Sequence, residues 1–371
     1  MSWWFTLPAL AAGGYYAIAL AAGIVRRIGR RKEANPSYLP PISILKPLRG
    51  RDPRFLEALR SHASQDYPEF ELVFGVSDPA DPALADIEIL RREYPELRIV
   101  VVQSVTDAPN RKVGVLIDLA LEARHPVLLV SDSDIRVDPG YLREVVGPLY
   151  RPETGVVTCL YRATAESLPA RFEALGVSTE FAPSVLVAPL AGVSGFALGS
   201  TMVFRAADLE RAGGFAALAG YLADDYHLGR ILSGLGLRVH LSHTVVETCL
   251  SGSGWSEVWR HALRWSRTIR MSRPAGYYGY LATQATFWAL LALIAGHPGV
   301  ASAVMAVRLA AAWVVGSIVL KDPNAARLLW LIPLRDLWGF AIWLAGLFGD
   351  SVEWRGLRLR LTSRGRILPG S

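Results

Sequence analysis

Four consecutive apolar residues, Val127-Leu128-Leu129-Val130, run directly into Ser131-Asp132-Ser133-Asp134-Ile135-Arg136-Val137-Asp138. A short apolar run bounded by polar residues reads as a strand buried on both faces, the situation inside a mostly parallel sheet. Ligands of open α/β sheets bind beyond the carboxyl ends of the strands, so Asp132 and Asp134 stand where a ligand would be. Two carboxylates at i and i+2 suit a hard cation, Mg2+ or Mn2+, that keeps some waters and takes other oxygens from a diphosphate. A pair of acids in a solvated turn is the plainer alternative, and the rest of the chain has to decide between them.

The region around this stretch alternates strands and helices. Strands are expected at Ile42–Leu45, Glu71–Val76, Arg98–Gln103, Val127–Val130 and Val156–Leu160, with a further one at Met202–Arg205. Between them lie helical stripes such as Val113, Leu116, Ile117, Ala120 and Leu121. Strand-helix-strand repetition predicts an α/β domain with a parallel sheet and right-handed crossovers. Asp78 and Asp81 follow the second strand, at a strand end facing the same crevice. Asn110-Arg111-Lys112 precedes a helix, where donors beside a helix N-terminus make an anion site. Ordinary turn and cap chemistry would explain each of these singly. The Gly-rich stretch from Gly192 to Thr201 is either a close-approach loop beside a ligand or a turn before a strand. Asp224 and Asp225 open another helix as caps or as a general base.

The ends of the chain are apolar. No charged side chain occurs across the 23 positions Trp3–Val25, long enough to span a bilayer, and Arg26, Arg27, Arg30, Arg31 and Lys32 follow at once. A cleaved leader would carry its basic residues before a shorter apolar run. The positive-inside rule puts the N-terminus outside and the following chain in the cytoplasm. Tyr277–Gly296 and Val300–Leu320 read as further spans, and the uncharged connection His297-Pro298-Gly299 suits an outside loop. Arg308, inside the second, is expected to face protein or headgroups. Arg267, Arg270 and Arg273, interleaved with Trp265, Ile269 and Met271, suit a helix at the cytoplasmic lipid surface. Leu328–Phe348 is interrupted by Pro333, Arg335 and Asp336. A full crossing would leave a basic tail outside, so this run reads as re-entrant or interfacial, with Arg335 and Asp336 turned toward the catalytic domain or paired together.

Composition agrees with this division. The 371 residues are 51% hydrophobic with a mean hydropathy of +0.28, as in a membrane protein with a polar middle. The net charge of +6 suits an anionic membrane surface or a nucleotide diphosphate, and the clustering of basic residues beside apolar spans argues for no nucleic acid partner. Cys159 and Cys249 match no zinc or redox spacing.

Taken together, Ser43-Ile44-Leu45-Lys46-Pro47-Leu48, Asp78, Asn110-Arg111-Lys112-Val113, Asp132-Ser133-Asp134-Ile135-Arg136-Val137, Ala223-Asp224-Asp225-Tyr226, Leu263-Arg264-Trp265 and Trp354-Arg355-Gly356 resemble the membrane lipid glycosyltransferases of the ceramide glucosyltransferase type. That group includes the bacterial hopanoid-biosynthesis glycosyltransferases. The chain departs from the family at His261, where Gln or Arg is usual, and at Gly114-Val115, where Asn is common. The resemblance implies a GT-A catalytic domain over 33–254 in the cytoplasm, after a transmembrane helix at 1–26. It implies an interfacial helix at 255–275, membrane or re-entrant helices at 276–350 and a basic tail at 351–371, all on the inner membrane. It implies a UDP-sugar donor, a lipid acceptor and a metal at Asp132 and Asp134. Asp225 would be the base, Asp224 a cap or an orienting neighbour, and Asp78 a uridine contact. Lys46, Asn110 and Lys112 would serve the nucleotide or diphosphate, and Arg264, Trp265 and His261 the diphosphate and acceptor side. Inversion at the sugar follows from direct displacement. A processive polysaccharide synthase, a non-catalytic nucleotide-sugar scaffold and a nucleotidyltransferase are the competing readings. Few spans argue against the first, a retained base against the second, and Arg264-Trp265 beside a membrane surface against the third.

Overall fold

The computed structural model describes residues 3–29, 37–250, 254–354 and 356–368. Arg30, Arg31, Lys32 and Arg355 lie outside the described residues, as does Ser371. The chain forms two compact units: one of Arg30–Tyr161 and Ser194–Ser251, the other of Met1–Gly29, Arg162–Val193 and Gly252–Ser371.

The first unit is built on a seven-stranded sheet. Its strands are β1 (Ile42–Pro47), β2 (Phe70–Val76), β3 (Ile99–Gln103), β4 (Val127–Val130), β5 (Thr154–Thr164), β6 (Met202–Arg205) and β7 (Arg238–Cys249), in the order β3-β2-β1-β4-β6-β5-β7. β3, β2, β1 and β4 are parallel, with Ile44 opposite Leu72 on one side and Leu129 on the other. Every residue of β4 is buried, as its uninterrupted apolar run requires. Alternate side chains feed two cores. Ile44, Phe74 and Leu129 pack with Leu59, Ile87 and Tyr141 on one face. Leu45, Val73 and Leu128 pack with Val113, Leu116 and Leu119 on the other. Leu121, placed by periodicity on the buried stripe of helix Arg111–Glu122, is exposed.

The sheet is not parallel throughout. β6 lies between β4 and β5 and pairs antiparallel with both. A parallel neighbour needs a crossover over the sheet face. Between β5 and β6 the chain instead runs through Leu168–Ala191, in the other unit, and re-enters the sheet reversed. β7, unmarked by any apolar run, completes the sheet beside β5.

The second unit is helical. Among the described residues three helices are long and apolar enough to cross a membrane: Trp4–Ile28, Leu168–Ala191 and Pro298–Val319. The first and third follow the sequence expectation closely. Tyr277–Gly296 does not form one helix; it breaks into Pro274–Gly279, a tight turn at Tyr280–Thr283 and Ala285–Ile294. The backbone of Gln284 leaves helical geometry there, so the last piece is only 10 residues long. Leu168–Ala191 was expected inside the catalytic domain. Its Arg171, Glu173 and Glu180, with Pro169, Pro183 and Pro189, disguise an otherwise apolar run.

Small residues let these helices approach closely: Ala9, Ala12 and Ala19 are buried with Ala285, Ala289, Ala292, Ala301 and Ala311. Arg308 is fully buried and faces protein, giving two hydrogen bonds to Asp336, at 3.1 and 2.6 Å. Its guanidinium also lies 4.5 Å from the centre of the Tyr16 ring, and Thr286 donates to Asp336 at 2.7 Å. Arg335 and Asp336 are therefore not paired together. Neighbours on a helix point about 100° apart. In helix Ile332–Gly346, Asp336 turns to Arg308 and Arg335 to Glu180.

Helix Trp255–Ser272 presents its cations differently from a purely lipid-facing helix. Arg267 donates to the carbonyls of Phe348 (3.0 Å) and Ser351 (2.7 Å), and Arg270 to those of Leu347 and Gly349. Both hold the segment that leaves helix Ile332–Gly346, from its C-cap Leu347 to Ser351. The chain then makes a hairpin of β8 (Ser351–Trp354) and β9 (Leu357–Arg360).

The buried pair generates a stability prediction. Asp336→Leu leaves Arg308 charged and unpaired and should cost on the order of 3 kcal/mol. Combining it with Arg308→Leu should recover most of that loss in thermal unfolding of detergent-solubilised protein. A double variant no more stable than the single would refute the pairing.

Candidate functional site

The carboxyl ends of β2, β1 and β4 lie at one edge of the sheet because the three are parallel neighbours. Asp78 stands exposed just beyond β2, its Oδ1 accepting from the backbone of Ala80 at 2.8 Å. Asp81 is buried and structural: it accepts from Gly50 N at 2.8 Å and Ala83 N at 2.9 Å. Beyond β4 the Asp132 side chain is 41% exposed.

Two residues expected to touch the nucleotide lie behind the site. Lys46 is fully buried on β1, and its Nζ donates to the Asp132 carbonyl at 2.8 Å and Ser131 Oγ at 3.4 Å. Burial pushes its ammonium down to about 8, with Asp134, Asp132 and Asp52 opposing. Asn110 is likewise fully buried. Its Oδ1 caps helix Arg111–Glu122 by accepting from Val113 N at 3.3 Å, and its Nδ2 donates to Tyr221 O at 2.7 Å. Both position the site's backbone. Gly114, the departure in this motif, has a packing reason: a Cβ there would come within 2.7 Å of Thr106 O.

Lys112 is the centre of the arrangement. Its Nζ lies 2.8 Å from Asp132 Oδ1 and 3.5 Å from Asp224 Oδ2, with its side chain 16% exposed. Burial works against its charge, yet Asp132, Asp224 and Asp225 outweigh that and hold the ammonium above the usual lysine range. The anion site expected at this helix start is thus engaged by the protein's own carboxylates.

The Gly-rich stretch is a close-approach loop. Gly199 N donates to Asp225 Oδ2 at 2.8 Å. A Cβ on Gly199 would lie 3.3 Å from Asp225 Oδ2, 3.4 Å from Asp132 Oδ2 and 3.7 Å from Lys112 Nζ. Glycine at this position lets three charged side chains meet at one point of backbone. The loop is held against helix Asp224–Gly234 by close backbone contact: a Cβ on Gly229 would come 2.7 Å from Ala197 N.

Asp224 and Asp225 divide their tasks. The helix cap is Ala223, so Asp224 is not the cap; it is the first helical residue, buried, with its carboxylate toward Lys112. Asp225 Oδ1 accepts from Tyr226 N at 2.7 Å while Oδ2 takes the Gly199 bond. Burial, then the adjacent Asp224 charge, push the Asp225 carboxyl up to about 6, with Lys112 opposing. Burial also raises Asp224, again against Lys112.

Asp134 accepts from the Thr248 hydroxyl, and burial followed by the Asp132 charge pushes it up to about 6. β7 secures this loop: Arg136 and Glu247 form an antiparallel bridge, with Arg136 N donating to Glu247 O at 2.7 Å, and their side chains pair at 2.5 Å. Among the described residues no group of three or more His, Cys, Asp or Glu side chains could hold a metal ion. Two adjacent carboxylates, one open and one whose ionisation is opposed, nevertheless fit a hard cation completed by water and ligand oxygens. Sequence reasoning missed Thr248 and the Gly199 amide; only the glycine richness of 192–201 hinted at the latter.

His261, Arg264 and Trp265 belong to the helical unit, on helix Trp255–Ser272. His261 Nδ1 bonds the Glu173 carboxylate, and its ring lies 4.9 Å from that of Trp265, which in turn is 6.1 Å from Phe181.

The profile of glycosyl transferase family 21 matches residues 4–367. Ceramide glucosyltransferase 1 of Caenorhabditis elegans is 27% identical over 221 residues, covering 59% of this chain and 47% of that protein. Ceramide glucosyltransferase 3 of the same organism is 27% identical over 214 residues, covering 57% and 46%. The chain thus spans about half the length of these curated relatives. Among solved structures, a mannosyltransferase of Pyrobaculum calidifontis in complex with GDP-Man and Mn2+ superimposes with a TM-score of 0.52 at 19% identity, covering 92% of this chain and 97% of that one. The shared architecture is the GT-A fold.

The electrostatics make a prediction on stability. Asp225 binds its proton more tightly folded than unfolded, so stability falls as pH rises from about 4 to about 6 and the deficit persists above. Asp225→Asn removes the charge but can accept from only one of Gly199 N and Tyr226 N, a loss that does not depend on pH. The variant's melting temperature relative to wild type should therefore rise by a few degrees between pH 4 and neutral pH. A difference that stays constant across that range would count against this account.

Proposed function

Because the chain belongs to glycosyl transferase family 21, we propose that it is an inverting, membrane-bound glycosyltransferase. It would move glucose or N-acetylglucosamine from a UDP-sugar to a hydroxyl of a membrane lipid, either a ceramide or a hopanoid polyol. The observation that carries this reading is the meeting of Asp225, Asp132 and Lys112 around the Gly199 amide at the ligand edge of a GT-A sheet. A transferase needs a proton acceptor beside a place for a leaving diphosphate, and this arrangement supports assigning the first to Asp225 and the second to the Asp132 side.

In the proposed reaction Asp225 takes the proton of the acceptor hydroxyl as that oxygen attacks the anomeric carbon and the nucleotide diphosphate departs. A carboxylate is a weak base toward an alcohol until the hydroxyl acidifies in the transition state, so its placement by Gly199 N–H matters more than its basicity. Its value near 6 still helps, since proton transfer is favoured by a pKa close to working pH. Lys112 keeps Asp225 ionised and holds Asp132. A divalent cation held by Asp132 and Asp134 would neutralise charge on the diphosphate oxygens. Asp78 is assigned to the uridine, and Arg264, Trp265 and His261 to the diphosphate and acceptor side. Direct displacement gives a β-linked product from an α-linked donor. The catalytic unit is proposed to face the cytoplasm.

Membranes incubated with radiolabelled UDP-glucose or UDP-N-acetylglucosamine test the reading. Label should enter a small glycolipid; label in polymer would favour a processive synthase, and none in either a scaffold. Activity should require Mg2+ or Mn2+ and vanish in Asp132→Asn, so full turnover in excess chelator would remove the metal role. Asp225→Asn should lower kcat by about 10²–10⁴-fold with the UDP-sugar KM nearly intact. The wild-type rate should climb with pH through about 6 as Asp225 ionises. Lys112→Met removes the charge that opposes the shift and should move that limb upward. A limb that stays in place would dissociate Lys112 from the base.

A further inference from the structure

Helix Leu168–Ala191 is apolar and long enough to cross a membrane, yet it carries Glu173 and Glu180. Carboxylates in such a setting are costly and are kept where they are matched or used. Glu173 is matched by His261. Glu180 lies in a π-helical turn, Val177–Phe181, a widening of the helix that recurs at functional sites. Its carboxylate accepts from the Tyr280 hydroxyl and lies 3.1 Å from Arg335 Nη2.

This second pair shares helix Ile332–Gly346 with Arg308–Asp336 but differs from it. Arg308 and Asp336 are sealed, with side chains 0% and 6% exposed and two hydrogen bonds between them, and only Arg308 Nη1 lacks a hydrogen-bond partner. Arg335 and Glu180 are 12% and 18% exposed, and their contact is an ion pair without hydrogen-bond geometry. Glu180 Oε2 and Arg335 Nε and Nη1 are buried with no hydrogen-bond partner. Three orphaned polar atoms in one pair are expensive. The chain has also cleared space for them. A Cβ at Gly176 would overlap the Arg335 guanidinium, and one at Gly339 would lie 3.0 Å from Glu180 Oε1 and 3.2 Å from Arg335 Nη1. Aromatic rings flank the group: Phe172 lies under Arg335 and beside Trp338, and Phe181 beside Trp265.

We propose that Glu180, Arg335 and Tyr280 bind the polar head of the acceptor lipid, an uncharged head bearing hydroxyl groups. A hydroxyl both donates and accepts, so it satisfies a carboxylate and a guanidinium together without adding charge. An anionic head would meet Glu180, and a cationic one Arg335. The proposal rests on the lipid-transfer reading and names where its acceptor is held.

The test uses full-length protein in nanodiscs with short-chain ceramide and a hopanoid polyol as probes. Glu180→Gln and Tyr280→Phe should each raise the KM for the accepted lipid by about ten- to a hundredfold, with the UDP-sugar KM unchanged. Titrating that lipid without donor should change wild-type tryptophan fluorescence, and the same change should need correspondingly more lipid in the variants. Tyr280→Phe removes one hydroxyl and decides the matter if Glu180→Gln does not fold. A wild-type enzyme that glycosylates lipid while the folded variants keep its acceptor KM and titration midpoint would overturn the proposed acceptor site alone. Transfer to no lipid, with no fluorescence change, would overturn the functional reading and the acceptor site with it.

Discussion

A single ammonium, Lys112 Nζ, makes the catalytic unit's charged edge possible. Asp132, Asp224 and Asp225 come from two separate segments, the end of β4 and the start of helix Asp224–Gly234. Without a cation among them, carboxylates this close would repel one another and take up protons. Lys112 can sit there because Asn110 caps its helix and ties that cap to Tyr221, three residues before Asp224. Gly199 then supplies an amide where any side chain would crowd the acids. Charge balance, a cap and a missing Cβ together set the geometry.

The same principle of matched charge operates in the helical unit under harsher conditions. Its helices pack largely through alanine and glycine faces, which bring backbones close and offer no polar group to a stray charge. Arg308 is tolerated because Asp336, Thr286 and the Tyr16 ring enclose it. Arg267 and Arg270 are tolerated because helix-end carbonyls await them. Arg335 and Glu180 are the less complete case, with three polar atoms lacking a hydrogen-bond partner against one on Arg308, and the lipid head is proposed to meet them there.

The proposed division of labour follows from these two solvents. A water-facing α/β sheet can gather acids for a nucleotide-sugar, and membrane-length helices can gather a lipid. The chain interleaves the two units: it leaves the sheet after β5 for Leu168–Ala191 and returns through the loop that carries Gly199. The segment proposed to hold the acceptor therefore leads, within eight residues of its end, to the Gly199 amide that bonds Asp225, the proposed base.

By itself the sequence determined whatever depends on neighbours along the chain. An unbroken apolar run of four pointed to a doubly buried strand, and Val127–Val130 is that, with Asp132 and Asp134 just beyond its end. An uncharged stretch of 23 residues could only be a membrane-length helix, and Trp3–Ile28 is that. Motif order made the GT-A architecture legible as well. Tertiary structure decided which charge meets which. Lys46 and Asn110 read as ligand contacts because their burial is set by strands and loops distant in sequence. Arg335 and Asp336 read as turned toward the catalytic domain or paired together, because adjacency hides the angle between them. Leu168–Ala191 fell within the bounds of the catalytic domain, and its acids are paired with residues 88 and 155 positions away. The energy of a charge depends on its partner, and no local pattern contains that partner.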